Sequence, residues 1–159
     1  MQNKKYFLQN EYISLLKTLE PNAKGLWGLM NAHQMVEHMT YAFQLGDGKV
    51  KVDQLISPEE NIPKFQDWIL TNKAMKINIQ NPLISSNPQD LKHSNYFDSI
   101  EELEQEILDF FKVYSSNPNL SLLNPFFGSL NEELNTNLLF KHSIHHLKQF
   151  GIEVDYVEG

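Results

Sequence analysis

Four stretches of the chain carry apolar residues at helical spacing, and they predict four main helices. The first spans residues 4–19, where Phe7, Leu8, Tyr12, Ile13, Leu15, Leu16 and Leu19 follow a helical repeat and Pro21 stops the run. The second spans residues 31–45. Asn31 offers an N-cap, Gln34 completes a capping box, and Gly46-Asp47-Gly48 ends the element. The third spans residues 98–114, with Asp98 and Glu101 as a second capping-box pattern and Ile100, Leu103, Ile107, Phe110 and Phe111 as the apolar stripe. Its carboxylates Glu101, Glu102, Glu104, Glu106 and Asp109 crowd the front half, where the helix dipole favours negative charge, and read as a solvated face. The fourth spans residues 131–150, with Gly151 placed as a C-cap glycine and Ile152 as its hydrophobic partner.

The connections are unequal. Residues 46–97 separate the second and third helices. Ser57-Pro58-Glu59-Glu60 resembles a helix start and predicts a short extra helix near residues 59–70. Phe65, Trp68, Ile69, Leu70, Met75, Ile77 and Ile79 make this segment too apolar for a plain linker, so an ordered loop folded over one side of the bundle is expected. Asn-Pro pairs at 81–82, 87–88, 117–118 and 124–125 favour turns over helix. No strand is predicted. The fold class is therefore all-α, one domain over residues 1–159, a length that buries a real core.

Composition narrows the function. The net charge of −7 and the scattered lysines argue against a nucleic-acid partner, which needs a basic stripe. No apolar run approaches 18 residues, and the segment from Met1 lacks the apolar core of a signal peptide, so no membrane contact is expected. Cysteine is absent, which excludes disulfides and thiolate ligands and fits a reducing, cytoplasmic setting.

The six histidines are His33, His38, His93, His142, His145 and His146. Positions i and i+4 of a helix differ by about 40° and lie one turn apart, so His142 and His146 share a face. Leu134, Leu138, Leu139 and Phe150 flank that face, which points the pair toward the core. On the second helix His38 projects among Met35, Ala42 and Leu45, also inward. His145 lies about 100° from His146, and His33 about 140° from His38, facing out or supporting the helix start. Helical-bundle sites are built from side chains on facing helices, so His38, His142 and His146 are the candidate metal ligands. The other reading is three hydrogen-bonded core histidines. Three ligands leave open coordination, the habit of a catalytic ion, unless Glu37, Glu102 or His93 closes the shell. There is no His-Glu-x-x-His, since Ser143 stands where a zincin carries glutamate, and no Glu-x-x-His, phosphate loop or Gly-x-Ser-x-Gly elbow.

The segments Leu26-Trp27-Gly28-Leu29-Met30-Asn31-Ala32-His33-Gln34-Met35-Val36-Glu37-His38-Met39 and Lys141-His142-Ser143-Ile144-His145-His146-Leu147-Lys148-Gln149-Phe150-Gly151 resemble the DinB-like (YfiT-like) superfamily. The likeness is greatest to a branch known only as a domain of unknown function. Trp27 and His38 match its tryptophan and first histidine, His142 and His146 its His-x-x-x-His pair, and Asn124-Pro125-Phe126-Phe127-Gly128 also looks like that branch. The resemblance implies an up-down-down-up four-helix bundle with a divalent ion, nickel or zinc foremost, in a cleft at one end. It also implies metal-dependent hydrolases or transferases of low-molecular-weight thiols.

The expected function is a metal-dependent enzyme on a small molecule. An ion held by three histidines lowers the pKa of a bound water or thiol. Trp27, Met35, Phe126 and Phe127 would line the cleft, with Tyr41 and Glu37 as the nearest polar groups. The alternative is a non-catalytic, dimeric ligand- or partner-binding module. Phe140, Ile144 and Leu147 form a second apolar stripe on the last helix, which a homodimer or packing by the 115–128 segment would bury.

Overall fold

A computed structural model describes residues 2–77 and 88–155, less the side chains of Gln2 and Asn3. Ile79, the Asn81-Pro82 pair and Asn87, named above, lie outside the described residues. Among the described residues six α-helices follow in order: α1 (Gln2–Asn10), α2 (Tyr12–Leu16), α3 (Ala32–Asp47), α4 (Ile62–Ile69), α5 (Tyr96–Ser116) and α6 (Glu132–Gln149). A 3-10 turn at Glu59–Asn61 leads into α4, and a hairpin of β1 (Leu122–Asn124) and β2 (Gly128–Leu130) precedes α6.

Local chemistry accounts for most of these boundaries. Asn31 and Gln34 form the complete reciprocal capping box at the start of α3. Asn131 caps α6 through the Leu134 amide. At the other end of α6 the Gly151 amide donates to Lys148 O and the Ile152 amide to Leu147 O, with Gly151 at φ 80°. That is the paired bonding of a Schellman cap, and only glycine adopts its left-handed backbone without strain.

Four local expectations are corrected. The first helix is interrupted at Glu11, and i→i+3 bonding at Thr18 and Leu19 ends it before Leu19. Helix α3 runs through Gly46, and Gly48, at φ 85°, is its cap. Helix α5 starts earlier than expected, because Asn95 rather than Asp98 accepts the cap bond, from the Phe97 amide. The hairpin was not predicted. Its turn is held by Asn124 Oδ1, which accepts from the Phe126 and Phe127 amides.

Side-chain pairings give the helix directions. His33 meets Ser99 and Tyr114 donates to Gly46 O, so α3 and α5 run the same way. Lys4 donates to Asn137 and Phe7 packs edge-on against Phe140, with ring centroids 5.4 Å apart, so α1 and α6 also run together. His38 meets His142 and Gly46 approaches Leu139, so α3 and α6 are antiparallel. Between them lies one core in which Leu8, Met35, Met39, Phe43, Leu103, Phe110 and Leu147 are fully buried. A Cβ on Gly46 would come within 3.0 Å of Phe110 Cε2, which shows how closely α3 approaches α5.

The apolar stripe Phe140–Ile144–Leu147 is covered within the chain. Phe140 and Leu147 are buried, and Ile144 packs on the same core. It therefore gives no reason for a second copy. The 46–77 segment folds over one side of the bundle, as its apolar content requires. Ile69 and Trp68 join Phe127, Leu130, Leu134 and Leu138 in a second cluster, with Trp68 stacked on Phe127. Lys141 Nζ donates to Thr71 O and to Lys73 O, pinning the end of α4 to α6. No helix among the described residues is long and apolar enough to cross a membrane.

Candidate metal centre

His38 comes from the middle of α3, and His142 and His146 from successive turns of α6. The antiparallel packing of the two helices brings the three rings together. His38 Nε2 and His142 Nε2 lie 3.0 Å apart, and His142 Nε2 and His146 Nε2 lie 2.9 Å apart. Ring centroids are separated by 4.7 to 5.0 Å. Among the described residues this is the one group of histidines and carboxylates with three mutually close ligand atoms, and it can hold a metal ion.

Hydrogen bonding alone does not satisfy this arrangement. A neutral imidazole nitrogen carries either one proton or one in-plane lone pair. His142 Nε2 faces two other ring nitrogens, so at most one of its two contacts is a good hydrogen bond. Protonating the rings does not help either. Burial, together with the neighbouring His145, brings His38 down to about 4. Burial and the adjacent imidazoles hold His142 and His146 well below the ordinary histidine value. Three neutral nitrogens converging on one point are a donor set for a cation. The observed separations match two nitrogens roughly at right angles around an ion at about 2.0–2.1 Å. His38 and His142 are half-buried and His146 is buried.

The surroundings are tightly specified. His146 Nδ1 lies 2.7 Å from Gln149 Oε1, and Gln149 Nε2 donates to Trp27 O at 2.8 Å. The Leu26 amide donates to Gln149 O at 2.7 Å. Two glycines allow the 25–28 turn to come so close. A Cβ on Gly28 would sit 2.7 Å from Gln149 Nε2, and one on Gly25 would sit 2.9 Å from Gln149 Cγ. Gly28 also has φ 76°. The Trp27 ring packs edge-on against His145, with centroids 5.6 Å apart. His145 hydrogen-bonds to the Met75 backbone, and burial lowers its pKa. His145 thus borders the trio without joining it.

The remaining candidates sit elsewhere. His33 does not face out. It is buried against α5, with Nε2 2.8 Å from Ser99 Oγ and its ring edge-on to Tyr96. Glu37 accepts from Ser99 Oγ and from the Lys92 and His93 amides. Burial raises the Glu37 carboxyl, but those bonds outweigh it and hold the pKa below the ordinary value. His93 Nε2 lies 2.7 Å from Glu102, which also pairs with Lys92. Glu37, His93 and Glu102 therefore clamp the segment ahead of α5 and are not grouped with the trio. Of the expected cleft residues, Trp27 lies beside the site, Met35 is in the main core, and Phe127 packs with Trp68 near α4. Gln149 is little marked in the sequence. Its one signal was a glutamine three residues after His146, within side-chain reach on a helix.

No protein-family model, curated protein or solved structure matches the chain.

Proposed function

We propose that the protein is a metal-dependent enzyme acting on a small molecule, of hydrolase or thiol-transferase type, with His38, His142 and His146 holding a divalent ion. The observation that carries this reading is the position of His142 Nε2, shared between two other ring nitrogens at 3.0 and 2.9 Å. A bound cation resolves that conflict, and three neutral imidazoles suit nickel or zinc. When bound, the ion supplies Lewis acidity and brings the pKa of a coordinated water or thiol toward neutrality. The protein's share is orientation and shielding. The helix pair α3 and α6 fixes the three rings, and the Trp27 ring and His145 shield one flank. Tyr41, exposed and three residues after His38 on α3, offers a hydroxyl for a substrate contact.

The parallel pairs α1/α6 and α3/α5 support the up-down-down-up bundle of the DinB-like superfamily, and with it membership of that group. Reconstitution with cobalt tests the open site. Azide or a small thiol is expected to shift the visible spectrum, and turnover of a panel of esters, amides and thiol acceptors is expected to require the ion. A spectrum unmoved by either addition contradicts the enzyme reading.

A second reading, a ligand- or partner-binding module, is favoured by Leu26 and Leu29, which are 75% and 69% exposed on the turn that carries Trp27. Metal uptake without turnover, together with binding of an apolar ligand that quenches Trp27, would select it.

A further inference from the structure

We propose that Gln149 is a positioning residue: it holds His146 in the Nδ1–H tautomer and so presents Nε2 to the trio as a bare lone pair. The assignment follows from donors and acceptors alone. A peptide carbonyl can only accept. The Gln149 atom 2.8 Å from Trp27 O is therefore the amide nitrogen, and the atom facing His146 is the amide oxygen. That oxygen also can only accept, so His146 Nδ1, 2.7 Å away, must carry the proton. The neutral ring has one proton to place, and Nε2 is left bare.

The glutamine has little freedom to do otherwise. It is buried, its backbone oxygen is held by the Leu26 amide, and the glycine turn at 25–28 closes over its side chain. The turn thus has a task separate from any contact of Trp27 with substrate: its carbonyl sets the glutamine, and the glutamine sets the ligand. A histidine whose second nitrogen is committed in this way is oriented and made a better donor. The proposal rests on the metal reading for its consequence but not for the tautomer, which is fixed with or without an ion.

The test uses both properties. Long-range proton–nitrogen correlation spectra of the metal-free, histidine-labelled protein at neutral pH, assigned with His146→Asn, read the tautomer directly. A protonated Nδ1 and a bare Nε2 on His146 are expected, and a protonated Nε2 overturns the proposal. Zinc titration then compares variants that still unfold cooperatively. Gln149→Leu is expected to lose the single tautomer and to weaken zinc binding about 10- to 100-fold. Gln149→Glu keeps an acceptor for Nδ1 but, ionised, offers no proton to Trp27 O, so the Nδ1–H tautomer is expected to persist while affinity recovers only in part. Equal affinity in Gln149→Leu and the parent chain, or a protonated Nε2 on His146 in Gln149→Glu, overturns it. If the parent chain shows the tautomer but takes up no zinc, the metal reading falls while the tautomer assignment stands.

Discussion

Acid should unfold the metal-free protein early, and the histidine trio sets how early. In the unfolded chain a histidine titrates near 6.5, whereas His38 in the fold titrates at about 4. Between those values the unfolded state binds a proton that the native state refuses, so stability is intact above about pH 6.5 and is lost as the pH falls. His142 and His146 act with the same sign, and His145 adds to them. One group opposes. Burial and the adjoining Glu106 raise Asp47 from 3.8 to about 6, so in this window the native state holds a proton that the unfolded state lacks. Unfolding therefore takes up protons on balance, each worth about 1.4 kcal/mol per pH unit, and the unfolding free energy should fall by a few kcal/mol between about pH 6 and 4. A domain of ordinary stability, about 5–15 kcal/mol, loses much of it by pH 4.5. Urea titrations from pH 7.5 to 4.5, made in chelator, measure this. The variant His38→Asn should remove about 1.4 kcal/mol per pH unit from the slope. A free energy flat from pH 7 to 5 would refute the reasoning.

Three further outcomes follow from the packing. Phe140→Ala should cost about 3–5 kcal/mol in chemical denaturation and leave the molar mass by light scattering unchanged, because Phe7 rather than a second copy covers that ring. Asn131→Ala should cost about 1 kcal/mol through loss of the α6 cap, with metal affinity unaffected. Gly28→Ala should weaken metal binding although the residue touches no ligand, because a Cβ there meets Gln149 Nε2 at 2.7 Å; unchanged affinity in calorimetry contradicts that linkage.

The parts of the fold legible in the sequence were those decided locally. Asn31 with Gln34, and Gly151 with Ile152, specify helix ends through bonds to residues only a few positions away. His142 and His146 share a face by helical geometry alone, and His38 followed because its face was apolar. What the pattern did not decide is which neighbour covers each helix face. Helix α3 packs on α5 as well as on α6, so His33, about 140° from His38, is buried too. Helix α6 packs on α1 as well as on α3, so the stripe through Phe140 is buried within the chain and not by a second copy. Asn95 and Asp98 compete to start α5, and pattern alone does not rank them. The three-residue strands at Leu122–Asn124 and Gly128–Leu130 are too short to show a period of two. Gln149 was missed because its partners, Trp27 O and the Leu26 amide, are remote in sequence, and no spacing rule reaches them.

The central claim is that three imidazole nitrogens converge to hold one ion. Metal titration of the untagged protein, with elemental analysis of the dialysed complex, tests it most directly. One divalent ion per chain is expected, falling to none in His142→Ala, whose ring meets both of the others, and remaining at one in His93→Ala. No ion in the parent chain, or full occupancy in His142→Ala, would contradict the account.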